Sequence, residues 1–573
     1  MNAMGQHRPA IRALRFTTLV LALVAACATS DVQATDTVWV ATQTQAFLPS
    51  TTATALPATT SEHVVAALNP VLPDSKPTPA QVQAVVDYLQ QNGFTGIKVS
   101  SSQRLVDATG TVAGIQAAFN TTLMSFQYQG RAAFGNNAPA QVPQALGGVV
   151  VAVLGLQNVA TAQAVVEVAP SPASTKARAN AAGTAVEVAH ELTEFPAFYD
   201  ADNLPIGTGS TVAMVASGDL TAVLANLKAY TTSHGLPDVS TQVIRVGDGS
   251  YQDDPAKDLV WTTAVEAMVG MAGGLKQIVF YNPPDLSDAN LILGIDTMDD
   301  EFSWPVQYAS ELLPFAISED DAHRSGLMAA SDNAIAFIPE NIAPSGDDGA
   351  YAESEGVILD AQGNWLVAPG SYTVNYPASD RDVWAIGGTS LYTSGGIYAS
   401  ETGWNSGVAP VDPENLTSDQ QLHAGGGGVS KFEGGQGDLF NHAPWRIVPD
   451  VAFDADPASG ALVYLQGNAT PVQVGGTVLA AALYVGLRIR MGYHPETPLE
   501  LLYTCYADYH DHIKNDYALS GYSMQQLVHP VNEGNNGYGG YGYNAVAGYD
   551  AIGGWGSINA RNLNALAIGY FHD

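Results

Sequence analysis

The chain reads as an α/β protein with a largely parallel sheet, preceded by a small α+β domain, and three observations predict this. From about residue 187 onward, short β-rich apolar runs alternate with longer helical stretches, the pattern of strand–helix–strand crossovers. Ahead of it, residues 35–168 carry two helical apolar patterns and one buried-strand pattern. Between them, small residues with Pro170 and Pro172 mark an exposed linker over 169–186. A chain of 573 residues is too long for one compact core, so more than one domain is expected.

The N-terminus comes first. Arg8, Arg12 and Arg15 precede an apolar run over 16–26 and then small residues, the three parts of a signal peptide, assigned to 1–34. Val32-Gln33-Ala34 has the small-x-small form of a signal-peptidase site, which implies a secreted or periplasmic protein. Val24-Ala25-Ala26-Cys27 has the form of a bacterial lipobox, the alternative, which would anchor a lipoprotein through Cys27. No later run reaches the roughly 18 apolar residues of a transmembrane span. After either cleavage Cys505 has no intrachain partner and is expected to be a small buried hydrophobe.

In the small domain, Thr78-Pro79-Ala80-Gln81 has the form of a capped helix start, and Val82, Val85, Val86 and Leu89 follow at helical spacing. A second helical pattern covers 112–123, and 147–156 reads as a buried strand with a glycine exit. The linker carries Lys176 and Arg178, which suit either proteolytic cleavage or an uncut tether. In the large domain, strands are predicted at 211–216, 278–281, 334–338 and 383–386, with a helix through 265–271. The Gly-, Asn- and Tyr-rich tail at 532–550 is expected to be ordered, because its tyrosines supply contact area and Trp555 and a helical run from Leu563 follow.

Composition narrows the function. Lys+Arg number 21 against 55 Asp+Glu, a formal net charge of -34, so nucleic acid is excluded as a partner for want of phosphate-binding basic patches. An acidic surface suits solubility outside the cell and work at low pH.

Several segments, in this order and spacing, resemble one family. They are Phe-Pro-Ala-Phe-Tyr-Asp at 195–200, Val-Gly-Met-Ala-Gly-Gly at 269–274 and Ser-Gly-Asp-Asp-Gly at 345–349. Tyr-Pro-Ala-Ser at 376–379, Gly-Gly-Thr-Ser at 387–390 and Glu-Thr-Gly-Trp-Asn at 401–405 follow, then Gly-Gly-Val-Ser at 427–430, Pro-Asp-Val at 449–451 and Gly-Gly-Thr at 475–477. The chain is similar to the sedolisins, serine-carboxyl peptidases, and most of all to their bacterial pepstatin-insensitive branch. The resemblance implies a subtilisin-like domain over 187–573 behind a ferredoxin-like activation domain of the pro-kumamolisin type over 35–168.

It also implies a site. A sedolisin uses a serine nucleophile, a glutamate base with an aspartate one helical turn on, and a second aspartate that donates to the oxyanion at acidic pH. Here the serine position after Gly475-Gly476-Thr477 is Val478. Alignment on 269–274 places Val260 at the glutamate and Ala264 at the aspartate, with the family's tryptophan kept as Trp261. Asp347 matches the oxyanion aspartate, and Asp348 beside it reads as a loop carboxylate. Asp254 and Asp258 form an i, i+4 pair nearer the helix start, where acids are favourable, and are the fallback acids; Glu266 falls on the wrong helical face. Ser390 matches an earlier structural Gly-Gly-Thr.

The family's calcium loop is degenerate. Asp550 remains, and Gly548, Val546 and Val531 can offer carbonyls, but Pro530 replaces the second carboxylate, so calcium binding is expected to be weak. No zinc spacing is present. Three readings follow: a non-catalytic homologue binding peptide, unfolded protein or its own N-terminal domain; an acid endopeptidase with displaced catalytic residues; or new chemistry around Asp347. The first is preferred, because nucleophile, base and tuner are lost together.

Overall fold

The computed structural model describes residues 37–48, 52–69, 76–128, 130–169, 185–301, 309–335, 341–413, 415, 417–434, 444–492, 502–503 and 523–572. The signal-peptide segment, Cys27, Cys505 and residues 170–184 of the linker lie outside them.

The small domain is built from β1 (Ser61–Leu68), α1 (Pro79–Gln91), β2 (Thr95–Val99), β3 (Leu105–Thr111), α2 (Val112–Phe119) and β4 (Val150–Leu154). The strands pair antiparallel in the order β2-β3-β1-β4, which is the ferredoxin-like arrangement. The capping box forms at α1: Gln81 N–H donates to Thr78 Oγ1 at 3.3 Å, and Thr78 N–H donates to Gln81 Oε1 at 2.8 Å. Helix α2 is shorter than the pattern over 112–123 suggests. Asn120 adopts a left-handed φ of 49° that ends it, and Leu123–Tyr128 is a strand instead.

A short strand, β5 (Glu167–Val168), leads out of this domain. The large domain then runs β6 (Thr211–Val215), β7 (Ser240–Arg245), α3 (Pro255–Ala272), β8 (Gln277–Asn282), α4 (Asp288–Glu301), β9 (Ser310–Leu312), α5 (Leu327–Ile335), β10 (Asn341–Pro344) and β11 (Val383–Ser394). It continues through β12 (Ile397–Gly403), β13 (Gln420–Ala424), β14 (Val451–Asp454), β15 (Val472–Gly475), α6 (Thr477–Met491) and α7 (Ala560–His572). The main sheet has the order β7-β8-β6-β9-β10-β11-β12, with β14 added against β11. Every pairing in it is parallel except β11 with β12.

The strand expected at 334–338 is corrected. Ala334 and Ile335 end α5, residues 336–338 lie outside the described set, and the sheet is filled by β10 at Asn341–Pro344. A short apolar run has no period of its own, and here Leu327, Met328, Ala330 and Ile335 are buried along the helix. The tail at 532–550 is ordered as turns, with Asn535 bridged to Asn544.

Helices α3 and α6 place the site. All of α6 is buried, and so is α3 from Val260 onward. Their C-terminal halves lie side by side: a Cβ on Gly486 would meet Met271 Cβ at 2.6 Å, and Arg490 Nε donates to the Met271 carbonyl at 2.5 Å. The small domain docks on α4 and α5, its Val65, Ala67, Leu105, Ala152 and Leu154 joining the main hydrophobic core, and polar contacts add to this. Arg104 pairs with Asp299 at 2.5 Å, Ser102 donates to Asp296 at 2.7 Å, and Asp288 accepts from Gly155 N–H and Gln157. No described helix is long and apolar enough to cross a membrane.

Candidate functional site

The site lies where β10 ends and α6 begins. Past β10 the chain turns through Gly346, at φ 99°, and presents Asp347 to the head of α6. Asp347 Oδ1 accepts from the backbone N–H and the hydroxyl of Thr477, each at 2.7 Å, so the carboxyl caps the helix start. Gly476, at φ 97°, leaves room for the other oxygen, since a Cβ there would lie 2.7 Å from Asp347 Oδ2.

Burial, followed by the charge of Glu167, pushes the Asp347 carboxyl up to about 7. Burial and then the neighbouring Asp347 push Asp348 up to about 8. Asp348 is therefore more than a loop carboxylate, because both acids line one cavity of about 160 Å³ together with Thr477 and Val478. Ser318 lines the same cavity, and its buried hydroxyl has no hydrogen-bond partner among the described residues.

Val478, one residue into α6, is 3% exposed and belongs to the main hydrophobic core. Val260 and Ala264, the residues matched to the acid pair, lie in the first ten residues of α3, the helix that packs along α6. Both are apolar and buried, Val260 at 3% and Ala264 at 0% exposure. Neither position on α3 carries an acid.

Asp254 and Asp258 are not brought to the cavity. Asp254 is the N-cap of α3, accepting from Ala256 N–H at 3.1 Å, with Lys257 3.8 Å away. Burial and the nearby Asp253 push Asp258 up to about 6. Glu266 is buried elsewhere, accepting from Tyr464 N–H at 2.9 Å, and burial pushes it up to about 9. Ser390 donates to Asp456 at 2.6 Å inside the core and does not reach the cavity.

The sequence allowed the chain's own N-terminal domain as an occupant of this cleft, but it did not single out the segment that lies there. The segment 160–169 crosses the cleft, bridged at Gln163 and paired again at β5. Gln163 exchanges two backbone hydrogen bonds with Ala316, at 2.7 and 2.8 Å. Beyond it, β5 pairs antiparallel with β15, Glu167 against Gly475 and Val168 against Val474. A Cβ on Gly476 would meet Val166 Cα at 3.3 Å and Glu167 N at 3.4 Å, so the segment's backbone lies directly on the head of α6. Glu167 Oε1 is 2.9 Å from His423 Nδ1 on β13, a pairing that no local motif signals.

In the loop where the resemblance places calcium, the one carboxylate is engaged by backbone donors. Asp550 Oδ2 accepts from Val546 N–H at 2.6 Å, and Oδ1 accepts from the N–H groups of Ile552 and Gly553 at 2.8 and 2.9 Å. The Val531 side chain packs onto Gly553, where a Cβ would meet it at 2.8 Å, and Pro530 supplies no carboxylate. No group of three His, Cys, Asp or Glu that could hold a metal occurs among the described residues.

Comparison with known proteins agrees with this architecture. Residues 74–159 match the pro-kumamolisin activation domain family. Over 503 residues the chain is 37% identical to sedolisin from Pseudomonas sp. (strain 101), covering 85% of this chain and 79% of that protein. Over 513 residues it is 33% identical to xanthomonalisin from Xanthomonas sp. (strain T-22), covering 86% of this chain and 60% of the other. Among solved structures, Pseudomonas sedolisin, a serine-carboxyl proteinase complexed with two molecules of pseudo-iodotyrostatin, superposes with a TM-score of 0.57 at 31% identity, covering 67% of this chain and 99% of that one. With its activation domain, its subtilisin-like sheet and identities of this size along most of its length, the chain belongs to the sedolisin family of peptidases.

Proposed function

We propose that this chain is an exported, non-catalytic member of its family that holds an extended peptide strand in the cleft between Ala316 and β15. The occupant in the described state is the chain's own segment 160–169, joining the small domain to the linker. The observation that carries the reading is Val478 at the head of α6, lining one cavity with a segment held by backbone pairing on two sides. A valine has no atom to attack the carbonyl, and no neighbouring group on α3 could activate one at Val260 or Ala264. Asp347 remains able to donate a hydrogen bond while protonated, which favours holding a peptide carbonyl without cleaving the bond. The small domain over 35–168 then stays as the cleft's cover, and calcium is not needed to build the site.

The test is to incubate the full chain, and its Val478→Ser variant, with an unfolded protein from about pH 3 to 7. Neither should cleave, because a serine alone lacks its base. Cleavage by the unaltered chain that a Ser→Ala change abolishes would overturn the proposal in favour of an acid endopeptidase with displaced catalytic residues.

A further inference from the structure

The strand in the cleft shows what the cleft reads. Its backbone hydrogen bonds are blind to sequence, so any selectivity comes from side chains. On one side, Ala162 is 4% exposed, and Ala164 and Val166 pack half-buried against the main core. These alternate positions have little room, because the strand's backbone rests on Gly476 at contact distance. The intervening residues Gln163, Val165 and Glu167 face the cavity instead.

Of these three, Glu167 meets a charged partner. Its carboxylate lies 2.9 Å from His423 Nδ1, with the two side chains only 20% and 22% exposed. We infer that the cleft selects extended strands with small apolar residues at alternate positions and a carboxylate at the place of Glu167, and that His423 is the residue that reads the carboxylate. The inference rests on the cleft-binding reading and names the class of peptide it takes.

The other charges around the pair bear on the choice. Asp347 and Asp348 stand beside His423, and Asp321 and Glu355 line the cavity, Asp321 with Arg324 at 3.5 Å. Were all of them ionised, a lysine would be preferred at this position. At pH 6, however, Asp347 and Asp348 are below their values of about 7 and 8 and hold their protons. His423 would be lowered by burial, but its hydrogen bond to Glu167 and the surrounding carboxyl charges raise it overall, so the imidazole is charged. With those two acids neutral, Asp321 pushed up to about 6 by burial and paired with Arg324, and burial also raising Glu355, the charged imidazole favours a carboxylate here.

Two measurements at pH 6 test this. In the full chain, hydrogen exchange of the amides at 166–169 should quicken about tenfold in Glu167→Gln and equally in His423→Gln, with no further change in the double variant. Independent, additive effects, or none, would sink the role of His423. Rapid exchange of the segment in the unaltered chain would instead sink the cleft-binding reading beneath it.

The second measurement uses a labelled peptide Thr-Ala-Gln-Ala-Val-Val-Glu-Val-Ala titrated with the full-length Glu167→Lys variant, whose own strand no longer matches the cleft. It should bind at least about tenfold more tightly than its counterpart with lysine at the glutamate position. That preference should vanish in the Glu167→Lys, His423→Gln double variant. Equal binding of the two peptides, or preference for lysine, overturns the inference. Failure of both to bind overturns it together with the cleft reading.

Discussion

Asp347 in the cleft and Asp550 in the C-terminal loop are the two acids that the family resemblance singles out, and they sit in opposite surroundings. Asp347 spends one oxygen on Thr477 and keeps the other at the edge of the cavity. Asp550 spends both on the N–H groups of Val546, Ile552 and Gly553. The difference teaches that what an acid can do is set by the donors around it. An acid facing a cavity stays available to a ligand, whereas one ringed by backbone donors becomes part of the loop's own scaffold.

Replacing the two acids breaks that comparison most directly. Asp550→Ala strands three N–H groups and should cost about 3 kcal/mol of unfolding free energy in urea titration. Asp347→Asn keeps an acceptor for Thr477 and removes a buried acid, so its cost should stay below about 1 kcal/mol at pH 8. Equal losses at the two sites would erase the distinction.

The next effect is on pH. Burial leads the upward shifts of Asp288 to about 6, of Asp347, Glu319 and Asp380 to about 7, of Asp348 to about 8 and of Glu266 to about 9. Each folded value lies above that of the unfolded chain, near 4, so the folded state binds more protons between pH 4 and 8 and loses stability as pH rises through that window. Thermal melting should occur about 5 °C or more higher at pH 5 than at pH 8, and the opposite order would contradict the buried-acid picture.

The smallest effect sharpens the comparison by its size. Because the donors around Asp550 are backbone N–H groups, millimolar calcium or a chelator should move the melting temperature by less than about 1 °C. A rise of several degrees with calcium would show that the loop reorganises to hold the ion.

Much of this was legible in the residue order. The capping box at Thr78 and Gln81, the alternation that builds a parallel sheet, and the cap formed by Asp254 all follow from local rules that need no partner far away. Local rules fail where two conformations suit the same run. The helical state of Ala334 and Ile335 and the end of α2 at Asn120 were decided by which surface the surrounding elements left to cover.

By itself, the sequence determined that Val478, Val260 and Ala264, the residues the resemblance matches to a nucleophile and an acid pair, carry no nucleophilic or acidic atom. That is a statement about atoms absent from the side chains, and no folding can restore them. Only the tertiary structure decided what fills the cleft and what Asp348, Asp550 and His423 do. Thr477 is 130 residues from Asp347, and His423 is 256 residues from Glu167. Their meeting depends on the register of β5 on β15 and on the packing of α6 beside β10, which the chain specifies only as a whole.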